Sequence, residues 1–219
     1  MVCSNRDASI QNVLDINRTA WNRVGANVAS PYLQNEKYYR FFETFCDKLP
    51  HGGELLDLGC GPGIPATLEF AKRGFNVMGV DFSETMISLA KENVPEARFY
   101  CCSMTEMEFN EQFDGVYSGH SMLCLDAQNF AVTAKKIASA LRNGGYFFLA
   151  LNESLVESNA TEGGVFEILG HPMFSRAYSE KEVLEFFSFN TMRLVKVERE
   201  TIKTRAYGEE HVVMFIFEK

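Results

Sequence analysis

The chain has no long apolar run. Nothing in its 219 residues approaches the roughly 20 consecutive apolar residues that span a bilayer. The opening "MVCSNRDASIQ" lacks the apolar stretch of a secretory signal, and the expectation is a cytoplasmic protein. Excess positive charge is also missing. Lys and Arg number 21 against 29 Asp and Glu, a net charge of −8 that a phosphate backbone would repel. General nucleic-acid binding is therefore not expected, while a local basic cleft stays open. The six cysteines follow no disulfide or zinc spacing, so reduced thiols are expected. No metal-ligand cluster, internal repeat or low-complexity segment is present, and Trp21 is the sole tryptophan.

What is present is an ordinary globular balance, 46% hydrophobic and 23% charged, enough for one core. From residue 53 onward, strand-like and helix-like segments alternate. "GELLDLG", "FNVMGVD", "ARFYCC", "FDGVYSG" and "GGYFFLAL" read as five strands. Between them lie a helix closed by Gly74, a helix capped by Ser83, and a helix with Phe130, Ala134, Ile137 and Leu141 in register. That last helix is expected to stop at Asn143-Gly144-Gly145. Such alternation predicts a parallel sheet with helices on both faces. The end differs: the helix "SEKEVLEFF" precedes "TMRLVKVERETI" and "EEHVVMFIFEK", two strands joined by a short turn around Gly208 and so antiparallel. The expected fold is α/β, a Rossmann-like, mostly parallel sheet of seven strands with an antiparallel last strand. Residues 1–50 read as two helices forming an N-terminal cap, and 51–219 as the main domain. The second helix carries Tyr38, Phe41, Phe42, Phe45 and Leu49 on one stripe.

The first strand runs into "LLDLGCGPG". A glycine turn between a parallel strand and a helix brings backbone N–H groups close to a ligand and favours negative charge there. A dinucleotide site has G-x-G-x-x-G. Here the turn is Gly59-Cys60-Gly61-Pro62-Gly63, and Ile64 stands where the third glycine would fall. Asp57, just before the turn, would oppose a pyrophosphate. A ligand with both a carboxylate and an ammonium group suits the pair better, the carboxylate at the N–H groups and the ammonium toward the acid. S-adenosylmethionine is such a ligand. Asp81, ending the second strand, can accept from both ribose hydroxyls, and Phe82 can cover the adenine.

With "LLDLGCGPG" followed by "VDFSETMISLAKE", the sequence resembles the class I S-adenosylmethionine-dependent methyltransferases. The resemblance runs closely from Gly53 to Leu151, extends to the end through the terminal strand pair, and is greatest toward small-molecule enzymes such as those of quinone biosynthesis. It implies that Gly59, Cys60 and Gly61 line the methionine end with Asp57 nearby. It implies that Asp81 holds the ribose beside Phe82 and Met86. Where the family often places an acid for the adenine, this chain has Ser103, followed by Met104, with Glu106 as an alternative acid. Ser118 and Gly119 are expected beside the methionine portion. His120 is the candidate general base, or a residue that shapes the pocket.

Two further segments bear on the acceptor. Residues 152–178 are expected as a long irregular excursion that covers the substrate or surrounds an inserted helix, with Phe166, His171, Met173, Phe174 and Tyr178. Trp21 caps the pocket or packs in the core. The resulting expectation is in-line methyl transfer from S-adenosylmethionine to a small-molecule acceptor, giving S-adenosylhomocysteine, without a metal. The alternatives are a protein or RNA methyltransferase, a non-catalytic S-adenosylmethionine-binding module, and a nicotinamide oxidoreductase. Ile64 and Asp57 disfavour the last. Nothing in the sequence speaks to oligomeric state.

Overall fold

The computed structural model describes residues 5–25, 31–153, 163–204 and 208–219. Its helices are α1 (Asn5–Val24), α2 (Glu36–Cys46), α3 (Ala66–Lys72), α4 (Glu84–Asn93), α5 (Ala127–Ala140) and α6 (Glu180–Ser188). The main sheet contains β1 (Glu54–Leu58), β2 (Asn76–Asp81), β3 (Arg98–Cys101), β4 (Phe113–Gly119), β5 (Leu141–Asn152), β8 (Arg193–Thr204) and β9 (Gly208–Glu218). The strand order is β3-β2-β1-β4-β5-β9-β8. Strands β1 to β5 pair in parallel, and β9 runs antiparallel to both β5 and β8. The seven-stranded sheet with one reversed strand is the expected one.

Its central strands are buried on both sides, so they read as unbroken apolar runs whose residues alternate between two cores. In β5, Phe147, Leu149 and Leu151 join the core under α5 and α6, which supply Phe130, Ile137, Val183 and Phe187. Phe148 and Ala150 join the opposite core, filled by Phe41, Phe42 and Phe45 of α2 and Phe70 of α3. The reversed strand β9 divides in the same way, Val213, Phe215 and Phe217 against Val212, Met214 and Ile216. The apolar stripe of α2 thus completes one sheet face, while α1 lies elsewhere.

Two local expectations change. Helix α5 ends at Ala140, because Leu141 already pairs with Phe113 as the first residue of β5, across a register shift. Among the described residues of the excursion after β5, β6 (Gly164–Ile168) and β7 (His171–Ser175) form an antiparallel hairpin with Leu169-Gly170 at its tip, where an irregular run was expected. Residues 154–162, the rest of that segment, lie outside the described residues.

Helix α1 is tied to this hairpin by one side chain. The Asn17 amide is fully buried, donates to the carbonyls of Cys124 (2.9 Å) and Phe174 (3.1 Å), and accepts from the Phe174 N–H (2.7 Å). Ala20 and Val24 of α1 pack with Met86 of α4 and Met173 of β7. The Ser83 hydroxyl that caps α4 also donates to Asn22 of α1 (2.6 Å). Replacing Asn17 by alanine leaves buried backbone groups without partners, a cost of about 1–3 kcal/mol. Asn17→Ala should therefore lower the urea midpoint by that amount and raise hydrogen exchange in α1 and β7 before the sheet. A variant with wild-type stability would mean that apolar packing alone holds α1.

Candidate functional site

The carboxyl ends of β1, β2 and β4 face a cavity of about 200 Å³. Ligands in open α/β sheets bind on this side, where the strand order reverses. Here β1 lies between β2 and β4, so the loops after β1 and β4 diverge and leave a crevice. Helix α1 and the hairpin close it, contributing Leu14 and Trp21 from one and Ile168 and Met173 from the other. Trp21 thus caps the pocket.

The glycine turn is shaped by backbone geometry. Gly59 has φ +69°, and a Cβ there would lie 2.3 Å from the Ser121 Cβ, so no other residue fits. Gly61, at φ +53°, meets nothing on its Cβ side and lines the cavity. The N–H groups of Gly59, Cys60 and Gly61 are taken by the end of β2, contrary to expectation. Gly59 and Cys60 donate to the Val80 carbonyl (2.7 and 3.1 Å), and Gly61 donates to Asp81 Oδ2 (3.0 Å). The reason is local: with β1 and β2 adjacent, the turn folds back onto the end of β2, whose acceptors lie nearest.

Asp81 is the acceptor that joins the two loops. Its Oδ2 takes the Gly61 N–H, and its Oδ1 takes the Ser83 N–H (2.9 Å). With the Phe82 N–H also turned to the carboxylate, room for one further donor remains. Burial pushes its carboxyl up to about 6, against the opposing N–H bonds from Ser83 and Gly61. Asp57 is buried on β1 and held at Oδ2 by the Thr67 hydroxyl (2.6 Å). Burial pushes its carboxyl up to about 7, with Asp81 adding to the rise and the Thr67 bond lowering it. No Lys or Arg lines the cavity among the described residues. The Cys60 thiol is also raised by burial and stays protonated.

Most expected site residues meet here. Asp57, Gly59, Cys60 and Gly61 form one wall, and Asp81, Phe82 and Met86 the next. Ser103 and Met104 follow, the Ser103 hydroxyl sharing a 2.7 Å hydrogen bond with Thr105. Gly119 and His120 lie at the end of β4. Ser118 is the exception. It is fully buried behind the wall, and its hydroxyl meets that of Ser121 (2.7 Å), which lines the cavity and donates to the Leu58 carbonyl. The side-chain alternation of β4 turns Ser118 away. Glu106 is exposed and away from the wall, so it supplies no acid for an adenine. Of the aromatic and methionine residues in the covering segment, Met173 lines the cavity. Tyr178 is fully buried and donates to the Leu125 carbonyl (2.7 Å).

His120 occupies the left-handed region at φ +59° and stacks on Tyr32, ring centroids 3.5 Å apart. Neither ring nitrogen has a hydrogen-bond partner. Burial lowers its pKa to about 3. A base so weak takes a proton poorly at neutral pH. Among the polar wall residues that the sequence reading gave no role are Tyr32, Asn152 and Glu210. Tyr32 follows Pro31 close to Trp21, a faint aromatic signal; Asn152 opens the segment expected to cover the substrate; Glu210 has none, since β5 and β9 meet only through sheet pairing.

A methyltransferase-domain family matches residues 55–145. The putative methyltransferase YqeM of Bacillus subtilis is 30% identical over 122 residues, covering 54% of this chain and 47% of that protein. Trans-aconitate 2-methyltransferase of Delftia acidovorans is 28% identical over 132 residues, 58% of this chain and 47% of the relative. These matches thus span about half the length of each curated relative. The solved structure of Burkholderia thailandensis 1,6-didemethyltoxoflavin-N1-methyltransferase, with its ligand and S-adenosylhomocysteine bound, superimposes at TM-score 0.72. It covers 100% of this chain and 92% of that one at 18% identity, a likeness of fold.

The two raised carboxyls make stability depend on pH. Both bind a proton more tightly folded than unfolded, so their contribution is complete below about 3.8, the ordinary value, and is lost as pH rises through about 6 and 7. The slope approaches about 1.4 kcal/mol per pH unit for each group within that window. Urea unfolding of the ligand-free chain should therefore give a midpoint that falls between pH 5 and 8, and Asp57→Asn should flatten the fall. A midpoint that rises over this range in wild type would contradict it.

Proposed function

From the match of residues 55–145 to a methyltransferase-domain family, we propose that this chain is a class I S-adenosylmethionine-dependent methyltransferase that methylates a small-molecule acceptor. The observation that carries the reading is the pair of carboxyls on adjacent strand ends, Asp57 and Asp81, on one cavity closed by α1 and the hairpin. A covered cavity supports a small acceptor, because a protein or RNA segment would need an open groove.

The residues fit the cofactor. A buried carboxyl held up at about 7, with no Lys or Arg lining its cavity among the described residues, is relieved by a positively charged ligand, which suits Asp57 to the methionine end. Asp81 keeps room for a further donor beside its backbone N–H partners, which suits a ribose hydroxyl. Gly61 is open on its Cβ side and would lie against the methionine portion with Gly59 and Cys60. Phe82, Met86 and Met104 offer apolar surface for the adenine, and the Ser103 hydroxyl a polar contact. Bound S-adenosylmethionine supplies an already activated methyl group for in-line displacement.

The protein's part is then to bind, orient and keep out water. Leu14, Leu123, Leu125 and Met173 give the acceptor side an apolar wall. The Asn17 and Ser83 contacts hold α1 over the cavity, so α1 is the cap and α2 part of the sheet's own packing. His120 remains neutral near pH 7 and offers one donor and one acceptor, which fits a positioning contact to the acceptor better than proton abstraction.

Isothermal titration tests this reading. S-adenosylmethionine and S-adenosylhomocysteine should bind and NAD should not. Asp81→Ala should weaken binding by roughly 2–3 kcal/mol, since hydrogen bonds to a charged acceptor vanish. Binding of NAD with no response to the adenosyl ligands would overturn it. Once an acceptor is in hand, His120→Gln should retain wild-type cofactor affinity and a flat pH–rate profile near neutrality. A wild-type profile whose rate falls on the acid side, with a limb that the variant abolishes, would restore His120 as the base.

A further inference from the structure

Beside the carboxyl pair, the cavity has a second polar region that the cofactor reading does not use. Glu210 of β9 reaches the wall, where Tyr32 donates its hydroxyl to Oε2 (2.8 Å) and Asn152 its amide to Oε1 (3.0 Å). A carboxylate only accepts, so the Asn152 NH2 must face Glu210 and its Oδ1 must turn away. That Oδ1 is buried with no hydrogen-bond partner, as are both ring nitrogens of His120, which stacks on Tyr32. Leaving such atoms unmet costs about 1–3 kcal/mol each. Unmet groups of this kind, gathered on one cavity, call for an external partner.

The unmet set has a definite chemistry. Asn152 Oδ1 needs a donor. Neutral His120 has one N–H to give and one lone pair to fill. The charged groups on the wall are Asp57, Asp81 and Glu210, with no Lys or Arg among the described residues, so the protein itself offers an entering anion like charge only. Arg176, next to the wall residue Ser175, is engaged with Glu182 at 2.6 Å.

We propose that Tyr32, Asn152, Glu210 and His120 form the acceptor-recognition pole, and that it selects an uncharged or cationic acceptor that donates N–H or O–H bonds, against carboxylate acceptors. The inference rests on the methyltransferase reading above and names its substrate class. Glu210 orients Asn152, and Asn152 Oδ1 reads the donor. Tyr32 locks Glu210 and covers one face of His120. The apolar wall at Leu123, Leu125 and Met173 takes the acceptor's body.

The test uses the full chain saturated with S-adenosylhomocysteine and three probes that share a ring and differ in head group: benzylamine, benzamide and benzoate. Calorimetric titration should give benzylamine and benzamide affinities about tenfold or more above benzoate, because only benzoate adds a like charge. Asn152→Leu should erase the benzamide preference while leaving S-adenosylhomocysteine affinity unchanged. The wild-type ranking stands without any variant, so a misfolded Asn152→Leu does not shield the proposal. Benzoate binding as tightly as the other two, or all three probes failing to bind a chain that holds S-adenosylhomocysteine, overturns the acceptor inference alone. A chain that does not bind S-adenosylhomocysteine overturns the methyltransferase reading, and this inference with it.

Discussion

One carboxylate fixes the relation between the two loops that build the cavity. Asp81 takes an N–H from Gly61 in the loop after β1 and another from Ser83 at the start of α4. It acts beside the Val80 carbonyl, which takes the Gly59 and Cys60 N–H groups, and the Asn93 amide of α4, which donates to the Pro62 carbonyl (2.9 Å). With these contacts, Gly61, Phe82 and Met86 stand at fixed positions around one space. The arrangement needs left-handed backbone at Gly59 and Gly61, which glycine adopts without steric cost. The Ser83 hydroxyl extends the same chain of contacts to Asn22, and so to the helix that closes the cavity.

The carboxyls that line this space are held near neutrality by burial. That has a cost in the free protein, because a buried acid prefers to keep its proton. It is also what makes the site selective for positive charge, since a cation returns the acids to their ionised form. The acidic character continues to the opposite pole, where Glu210 is held by Tyr32 and Asn152. One electrostatic rule therefore covers the whole cavity: the cofactor brings the positive charge, and the acceptor brings no negative charge.

How much of this was legible in the sequence follows from the range of the interactions. The strands, their order of appearance and the reversed end were readable because each strand is an apolar run bounded by glycine or polar residues. The pair Asp57 and Asp81 was readable because strand ends in a parallel sheet share one side. The direction of the turn's N–H groups was not, because it depends on how the turn meets Val80 and Asp81 once β1 and β2 pair. Ser118 was misplaced by one step of strand alternation. The hairpin β6–β7 was hidden by its short strands, and part of its alternation, Val165 and Phe166, faces solvent on both sides. The Tyr32–Glu210 contact joins residues 178 apart and left no local trace.

The central claim is that Asp57 and Asp81 await a cationic ligand in protonated or half-protonated form. Calorimetry of S-adenosylhomocysteine binding near pH 6.5, in two buffers of different ionisation enthalpy, measures the protons exchanged. The ligand's ammonium group should lower both carboxyl pKa values from about 7 and about 6, so binding should release about one proton. Asp57→Asn should remove most of that release. Proton uptake, or binding with no proton exchanged at this pH, would contradict the account.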